Sequence, residues 1–161
     1  MDERIKVKNG ETNRIAFVRV LPHSNLVKAI LQAFQQTRFS AAFVPNGIGS
    51  LESVHYTFIT KNGTYHEPIL LKENCELISL SGFIAKNPTA KNLPAQEKST
   101  AEYHFHALLA DGTGRTFGGH LLEEGNLVCA TVELTLVEMK GIHLKKEFDK
   151  ETGFTLFKVK P

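Results

Sequence analysis

Three histidines have the type and spacing needed for metal chemistry. His104 and His106 are two residues apart in a segment of β-like alternation, residues 102–110. Side chains two apart on a strand leave the same face of a sheet, so both imidazoles point the same way. His120 follows the pair Gly118-Gly119 on the next predicted strand, residues 116–122.

The turn between these two strands decides whether His120 joins the pair. A loop of three residues, 112–114, or of five residues, 111–115, places His106 opposite His120, whereas a two-residue loop turns His120 to the other face. Opposed residues of an antiparallel pair have Cβ atoms about 4.5–5.5 Å apart. Gly114 suits the left-handed conformation that odd loops use. The spacing therefore favours convergence of the three imidazoles.

Three neutral imidazoles with an open fourth position are the ligand set of several zinc sites, and they also accept other divalent transition metals. A zinc ion held in this way would lower the pKa of a bound water towards ~7 and make it a nucleophile. The alternative is a group of hydrogen-bonded histidines on a sheet face, and three in one hairpin favour the metal or small-ligand site. Further candidates for the same pocket are His55, Gly118, Gly119, Glu102 and Glu133, with Ser79 and Ser81.

The expected role in the pocket differs from one candidate to the next. The two glycines leave room for a ligand or for close packing. Glu102 shares strand parity with the histidines, and Glu133 lies on a neighbouring predicted strand; either would be the general base of an enzyme. His55 follows a predicted glycine-rich turn, residues 46–50.

The elements that must position these residues follow from hydrophobic periodicity. Apolar residues from Leu26 to Phe34 recur at helical spacing after a cap at Ser24 or Asn25, which predicts one helix ending near Arg38. The rest of the chain alternates with period two. One helix against six to eight strands predicts an α+β fold, a largely antiparallel β-sheet with one main helix packed on it.

The predicted organisation has three parts. Residues 1–13 form an N-terminal tail, residues 14–139 one domain, and residues 140–161 a C-terminal extension folded as a hairpin on that domain. Pro88 and Pro94 lie among polar residues and predict a long loop over residues 86–100.

Composition limits the class of protein. Hydrophobic residues make up 42% and charged residues 22%, which excludes disorder of the whole chain. No apolar run approaches the roughly 20 residues of a membrane span, and residues 1–4 do not begin a signal peptide, so we expect a cytoplasmic protein without membrane contact. The net charge of +2 offers little attraction to nucleic acid. Lys140, Lys145 and Lys146 alternate with acids, which is typical of a solvated surface.

The sequence resembles the PPC (plant and prokaryote conserved) domain family, from about Arg14 to Glu138. The resemblance is carried by successive blocks in matching order: 47–51 (GIGSL), 77–82 (LISLSG), 103–106 (YHFH), 110–111 (AD) and 118–121 (GGHL). It implies a largely antiparallel α+β fold, a homotrimer, metal bound by His104, His106 and His120, and a predicted DNA-binding protein of the stand-alone prokaryotic type. The Arg-Gly-Arg-Pro element of plant relatives does not occur in this chain.

Two functions follow as hypotheses. The first is a homotrimeric metal-binding module with a DNA-binding or regulatory role. The alternative is a zinc-dependent enzyme acting on a small molecule at the three histidines. No motif fixes a reaction class, so the sequence leaves open whether the protein is an enzyme.

Overall fold

The computed structural model describes residues 8–12, 14–87 and 101–159. Most of the predicted N-terminal tail and residues 88–100 of the predicted loop lie outside the described residues. The fold is α+β, as predicted, with one helix and ten strands in the described ranges. In chain order they are β1 Ile15–Val20, α1 Leu26–Thr37, β2 Ala41–Val44, β3 Gly47–Thr57, β4 Ile69–Leu71, β5 Cys75–Lys86, β6 Ala101–Ala110, β7 Thr116–Leu121, β8 Leu127–Glu138, β9 Leu144–Phe148 and β10 Thr155–Val159.

The helix has the boundaries that its sequence indicates. The Asn25 side chain accepts a hydrogen bond from the Lys28 backbone N–H at 3.0 Å and caps the first turn. Arg38, in the left-handed conformation, ends the helix. The buried face consists of Leu26, Val27, Ile30, Leu31 and Phe34. Within the described ranges, no helix is long and apolar enough to cross a membrane.

Eight strands form one antiparallel sheet in the order β1-β8-β2-β5-β6-β7-β3-β4, and β3 also pairs with β8 and β5. The pairings β8–β2–β5–β6–β7–β3 and back to β8 therefore make a closed ring of six strands. Among the residues that the structure describes, one hydrophobic core contains the inward side chains of these strands together with the apolar face of α1. Within this sheet β6 lies between β5 and β7, and β7 lies between β6 and β3, so the strands that carry the three histidines are interior strands.

The predicted glycine-rich turn at residues 46–50 is wrong, because β3 already begins at Gly47. Gly49 lies where the backbones of β3 and β8 approach closely, and a Cβ there would be 2.1 Å from the carbonyl oxygen of Thr131. Its φ of +152° is also one that residues with side chains rarely adopt. Glycine here permits two strands to come together, which looks like a turn signal in the sequence alone.

Alternation along β6 separates the two faces of the sheet. Phe105 and Leu109 are fully buried and point into the core. His104, His106 and Leu108 point to the opposite side, which we call the outer face. The histidines therefore lie outside the core, on a rigid strand whose position the core fixes.

Strands β9 and β10 form a separate two-stranded hairpin, closed by a turn in which the Asp149 carboxylate accepts backbone N–H bonds. Two contacts, among others, join the hairpin to the rest of the described chain. The Lys146 backbone N–H donates to the Glu102 carboxylate at 2.6 Å. At the other end, the Phe154 ring meets the edge of the Tyr65 ring with centroids 5.0 Å apart.

Candidate metal centre

His106 and His120 are directly opposite each other in the β6–β7 pair. The last pair before the turn is Ala110 with Thr116, so the loop has five residues, one of the two lengths that bring His120 onto the face of His106. Gly114 has a φ of +84°, the left-handed conformation expected there.

Asp111 fixes this loop. Its Oδ1 accepts hydrogen bonds from the Thr113 N–H at 2.9 Å, the Thr113 hydroxyl at 2.6 Å and the Arg115 N–H at 3.0 Å. Its Oδ2 accepts from the Arg115 guanidinium at 2.9 Å. The hydrogen bonds from Thr113, with those from Arg115, hold the pKa of the Asp111 carboxyl well below its usual range. An ionised carboxylate thus sets the loop length that positions His120.

The three imidazoles form a compact triangle on the outer face. Ring centroids are 4.9 Å apart for His104 and His106, 5.0 Å for His104 and His120, and 5.4 Å for His106 and His120. The Nε2 atoms of His104 and His106 are 3.0 Å apart. Each ring offers a nitrogen, and these three nitrogens lie within 4.8 Å of one another. Two ligands of a tetrahedral zinc ion would be roughly 3.3 Å apart.

The surroundings of all three rings favour the neutral form of imidazole, which is the form that binds a metal ion. Burial lowers the pKa of each histidine, and the neighbouring imidazole of His106 and the Lys146 charge lower that of His104 further. For His120, burial, His104, His106 and Lys146 together lower the pKa to about 4. Neutral imidazole is the form that binds metal, so protons compete little with a metal ion at pH 7.

One atom of the triangle lacks a partner. The Nδ1 of His120 is buried and has no hydrogen-bond partner within the described residues. The Tyr65 ring lies beside this imidazole, with centroids 5.9 Å apart. A buried polar atom without a partner is costly, and binding to a metal or to a ligand would satisfy it. The donor set and this nitrogen fit a site that could hold a divalent metal ion.

Gly118 and Gly119 serve close packing of backbones rather than an opening for a ligand. A Cβ at Gly118 would be 2.0 Å from the Ala107 carbonyl oxygen, and one at Gly119 would be 2.3 Å from the Thr57 carbonyl oxygen. The glycine pair therefore lets β7 fit between β6 and β3. It positions His120, the next residue, without lining a pocket itself.

The remaining candidates lie outside the triangle. His55 is on β3, where its Nδ1 is 2.9 Å from the Glu124 carbonyl oxygen. Glu102 is on the outer face two residues before His104, and its carboxylate is engaged by the hairpin. Glu133 forms an ion pair with Arg19, with 3.8 Å between Nε and Oε1. On β3, the residue opposite Glu133 is Ile48, whereas the residue opposite His120 is Thr57, nine residues further along the strand. Ser81 of β5 lies opposite His106, whereas the Ser79 hydroxyl is bonded to Asn46. Among the described residues, the possible metal ligands gathered here are the three histidines.

Two residues near the site carried no sequence signal. Tyr65 lies in the connection before β4, and its ring is beside that of His120. The alternation of basic and acidic residues predicts a solvated Lys146, but this side chain is half-buried against Tyr103, and its charge contributes to the lowered pKa values of His104 and His120.

Comparisons with known proteins agree with this architecture. A plant- and prokaryote-conserved (PPC) protein from Pyrococcus horikoshii shares 27% identity over 96% of this chain and 97% of its own, with a TM-score of 0.73. A metal-containing protein from Archaeoglobus fulgidus shares 24% identity over 95% and 99%, with a TM-score of 0.77. A candidate DNA-binding protein from Bacteroides thetaiotaomicron shares 18% identity over 92% and 96%, with a TM-score of 0.71. The last two likenesses show the fold.

Curated relatives are longer proteins. The bifunctional protein GlmU of Synechococcus sp. (strain JA-3-3Ab) is 28% identical over 141 residues, which cover 88% of this chain. The chain spans only 20% of the length of that relative. A model of the Plants and Prokaryotes Conserved (PCC) domain matches residues 7–140. The chain therefore belongs to the Plants and Prokaryotes Conserved domain family.

Proposed function

We propose that this protein is a self-assembling module that binds a divalent transition metal through His104, His106 and His120. The observation that supports it best is the triangle of three neutral imidazoles whose nitrogens lie within 4.8 Å of one another. A protein of the same fold from Archaeoglobus fulgidus is described as metal-containing, which agrees with this proposal.

Zinc is the metal we propose, because imidazole is a favoured zinc ligand and three imidazoles leave a fourth position open. When bound, such an ion would supply Lewis acidity and a water of lowered pKa. The chain itself would orient the ligands through the paired strands β6 and β7 and the Asp111 loop. Elemental analysis of protein purified without chelators tests the proposal, and we expect about one zinc ion per chain.

An enzymatic role would also need a group that moves protons next to the ion. Of the two carboxylates named from the sequence, Glu102 accepts the Lys146 backbone N–H and Glu133 is paired with Arg19 away from the site. Among the described residues, no carboxylate joins the metal-binding cluster. The geometry therefore supports binding more directly than hydrolysis.

We further propose that the protein is a homotrimer assembled through the outer face. A row of apolar side chains runs across paired strands on this face and ends beside His104: Ile15, Val137, Phe43 and Phe83. Ile15 is 72% exposed, and Phe17 on the same face is 71% exposed. Contiguous apolar surface of this kind marks an interaction site. A second copy is the fitting occupant, because the family resemblance implies a homotrimer.

Replacing Phe17 by aspartate should convert the trimer to monomer, because a charge would be buried in each contact. Light scattering should give about 54 kDa for the unmodified protein, three times the 17.9 kDa chain, and about 18 kDa for the variant. Phe148→Asp is the matched control, because Phe148 is also exposed, at 61%, but lies on the hairpin. A monomeric unmodified protein would contradict the trimer.

Contact with DNA is the competing candidate, and the described surface gives it little support. Seven lysine and arginine side chains in the described ranges form ion pairs with carboxylates, which reduces the charge available to phosphates: Arg14, Arg19, Lys28, Arg115, Lys140, Lys145 and Lys158. The solved structures described as candidate DNA-binding proteins share the fold at 18% and 21% identity, which does not carry a binding activity to this chain.

We expect the protein to bind a random DNA duplex weakly, with a Kd of about 100 µM at physiological salt, the weak end of the range for non-specific contacts. Fluorescence anisotropy at rising salt concentrations measures this directly, because each phosphate contact releases counterions. A Kd below about 1 µM with a steep salt dependence would instead favour a DNA-binding function.

A further inference from the structure

Lys146 brings a positive charge to the three-histidine site from a part of the chain that the family model does not match. That model ends at residue 140, and Lys146 lies on β9 of the C-terminal hairpin. Its backbone is tied to Glu102, two residues from His104. Its Nζ is 5.5 Å from the centre of the Tyr103 ring and 5.6 Å from that of Phe157.

This ammonium has no partner of opposite charge in the described part of the chain. The neighbouring Lys145 pairs with Glu147, whereas no described carboxylate lies within 4.0 Å of the Lys146 Nζ. Glu102 attracts the charge from a distance, but its Oε2 accepts the Lys146 backbone N–H. A partly buried charge without a counterion is unfavourable, so the site is short of one negative group.

A bound metal ion would deepen this shortage. Three neutral imidazoles leave the full charge of a divalent ion uncompensated, and the ion is then the largest local charge in the site. The Lys146 ammonium adds a second positive charge beside His104, because its backbone is bonded to Glu102 and its Nζ lies over the ring of Tyr103. Two further acids, Glu123 and Glu124, act on the neighbouring Tyr103. Glu124 is paired with Lys28, and among the described residues neither acid forms an ion pair with Lys146. The three histidines and Lys146 together therefore favour an anion from solution.

We propose that the site binds a small oxyanion, a carboxylate or a phosphate group, between the three histidines and Lys146. The negative charge of the oxyanion would be attracted both by a metal ion held by the histidines and by the Lys146 ammonium. The Tyr103 and Phe157 rings support the ammonium from beside the site and hold it in place. This inference rests on the proposed metal-binding function and names the chemical class of its ligand.

The test uses the full-length protein loaded with cobalt(II), whose visible absorption reports a change in coordination. Inorganic phosphate and acetate are titrated separately, so that the two sources of an oxyanion are distinguished. We expect a saturable spectral change with at least one of them. Lys146→Met keeps a side chain of similar length and loses the charge. Anion binding should weaken about tenfold or more in this variant, as for loss of a charged hydrogen bond.

Two further variants keep the result interpretable. Lys145→Met removes the same charge one residue away, from a lysine that is already ion-paired, and should bind the anion like the unmodified protein. Lys146→Arg retains a cation and should stay within roughly threefold. Equal weakening of anion binding in Lys145→Met and Lys146→Met, or no response to either anion in a cobalt-loaded protein, would overturn the inferred anion site. The proposed metal-binding function would not be affected by that result. Absence of the cobalt absorption band would overturn the proposed metal function as well.

Discussion

Replacing His106 by alanine should remove zinc from the protein almost completely. His106 lies opposite His120 and has its Nε2 3.0 Å from that of His104, so its loss takes away one of the three donors of the triangle. Loss of a group that merely orients a ligand costs 10–100-fold in metal affinity, and loss of a direct ligand should cost about 100-fold or more. Elemental analysis should therefore show less than about 0.1 zinc per chain.

A thermal measurement gives a second readout of the same change. At a zinc concentration of about 100 times the Kd, the unmodified protein should gain roughly 2.7 kcal/mol of unfolding free energy. For a chain of this size that corresponds to a Tm increase of about 5–10 °C. His106→Ala should show no such increase. His55→Ala, a histidine on β3 outside the triangle, should behave like the unmodified protein; equal zinc loss in both variants would refute the assignment.

Replacing Gly118 by alanine should disrupt the fold around the same site. The added Cβ would be 2.0 Å from the Ala107 carbonyl oxygen, and the φ of +157° is one that alanine rarely adopts. Strand β7 would have to move away from β6, which would break the pairing of His120 with His106. We expect a loss of about 3–5 kcal/mol in the free energy of unfolding, measured by chemical denaturation.

Gly112 provides the matched control for this substitution. It lies in the β6–β7 loop, and a Cβ there would meet nothing within 4 Å. Gly112→Ala should change the unfolding free energy by less than about 0.5 kcal/mol, as is usual for a surface position. Similar stabilities for Gly118→Ala and Gly112→Ala would show that β7 tolerates a side chain at its contact with β6.

The sequence predicts the triangle because its information is local. Two strand residues of equal parity and an odd loop are enough to place His104, His106 and His120 on one face, and the five-residue loop held by Asp111 has one of the expected lengths. The helix α1 could be predicted for the same reason, since its cap at Asn25 and the spacing of its apolar residues lie within one short segment.

Long-range contacts carried no such signal. The pairing of β3 with β8 closes the ring, yet it brings together residues far apart in the sequence, such as Gly49 and Val132, 83 positions apart, without a local motif. The glycines that permit this approach resemble a turn when only neighbouring residues are considered. Lys146 resembled a solvated lysine for the same reason, because its partners Glu102 and Tyr103 are more than 40 residues away.

The closed ring has a consequence for the order of events when metal binds. Strands β6 and β7 are held by neighbours on both sides, so the three imidazoles are assembled by the core before any ion arrives. In zinc fingers, by contrast, folding and metal uptake are one process, and the apo chain is unfolded. Here the ion would bind to a site that is already formed, so the chain would be folded whether or not the site holds a metal ion. Such a chain would release and recapture a metal ion without unfolding, so that loss of metal and loss of structure would be separate events.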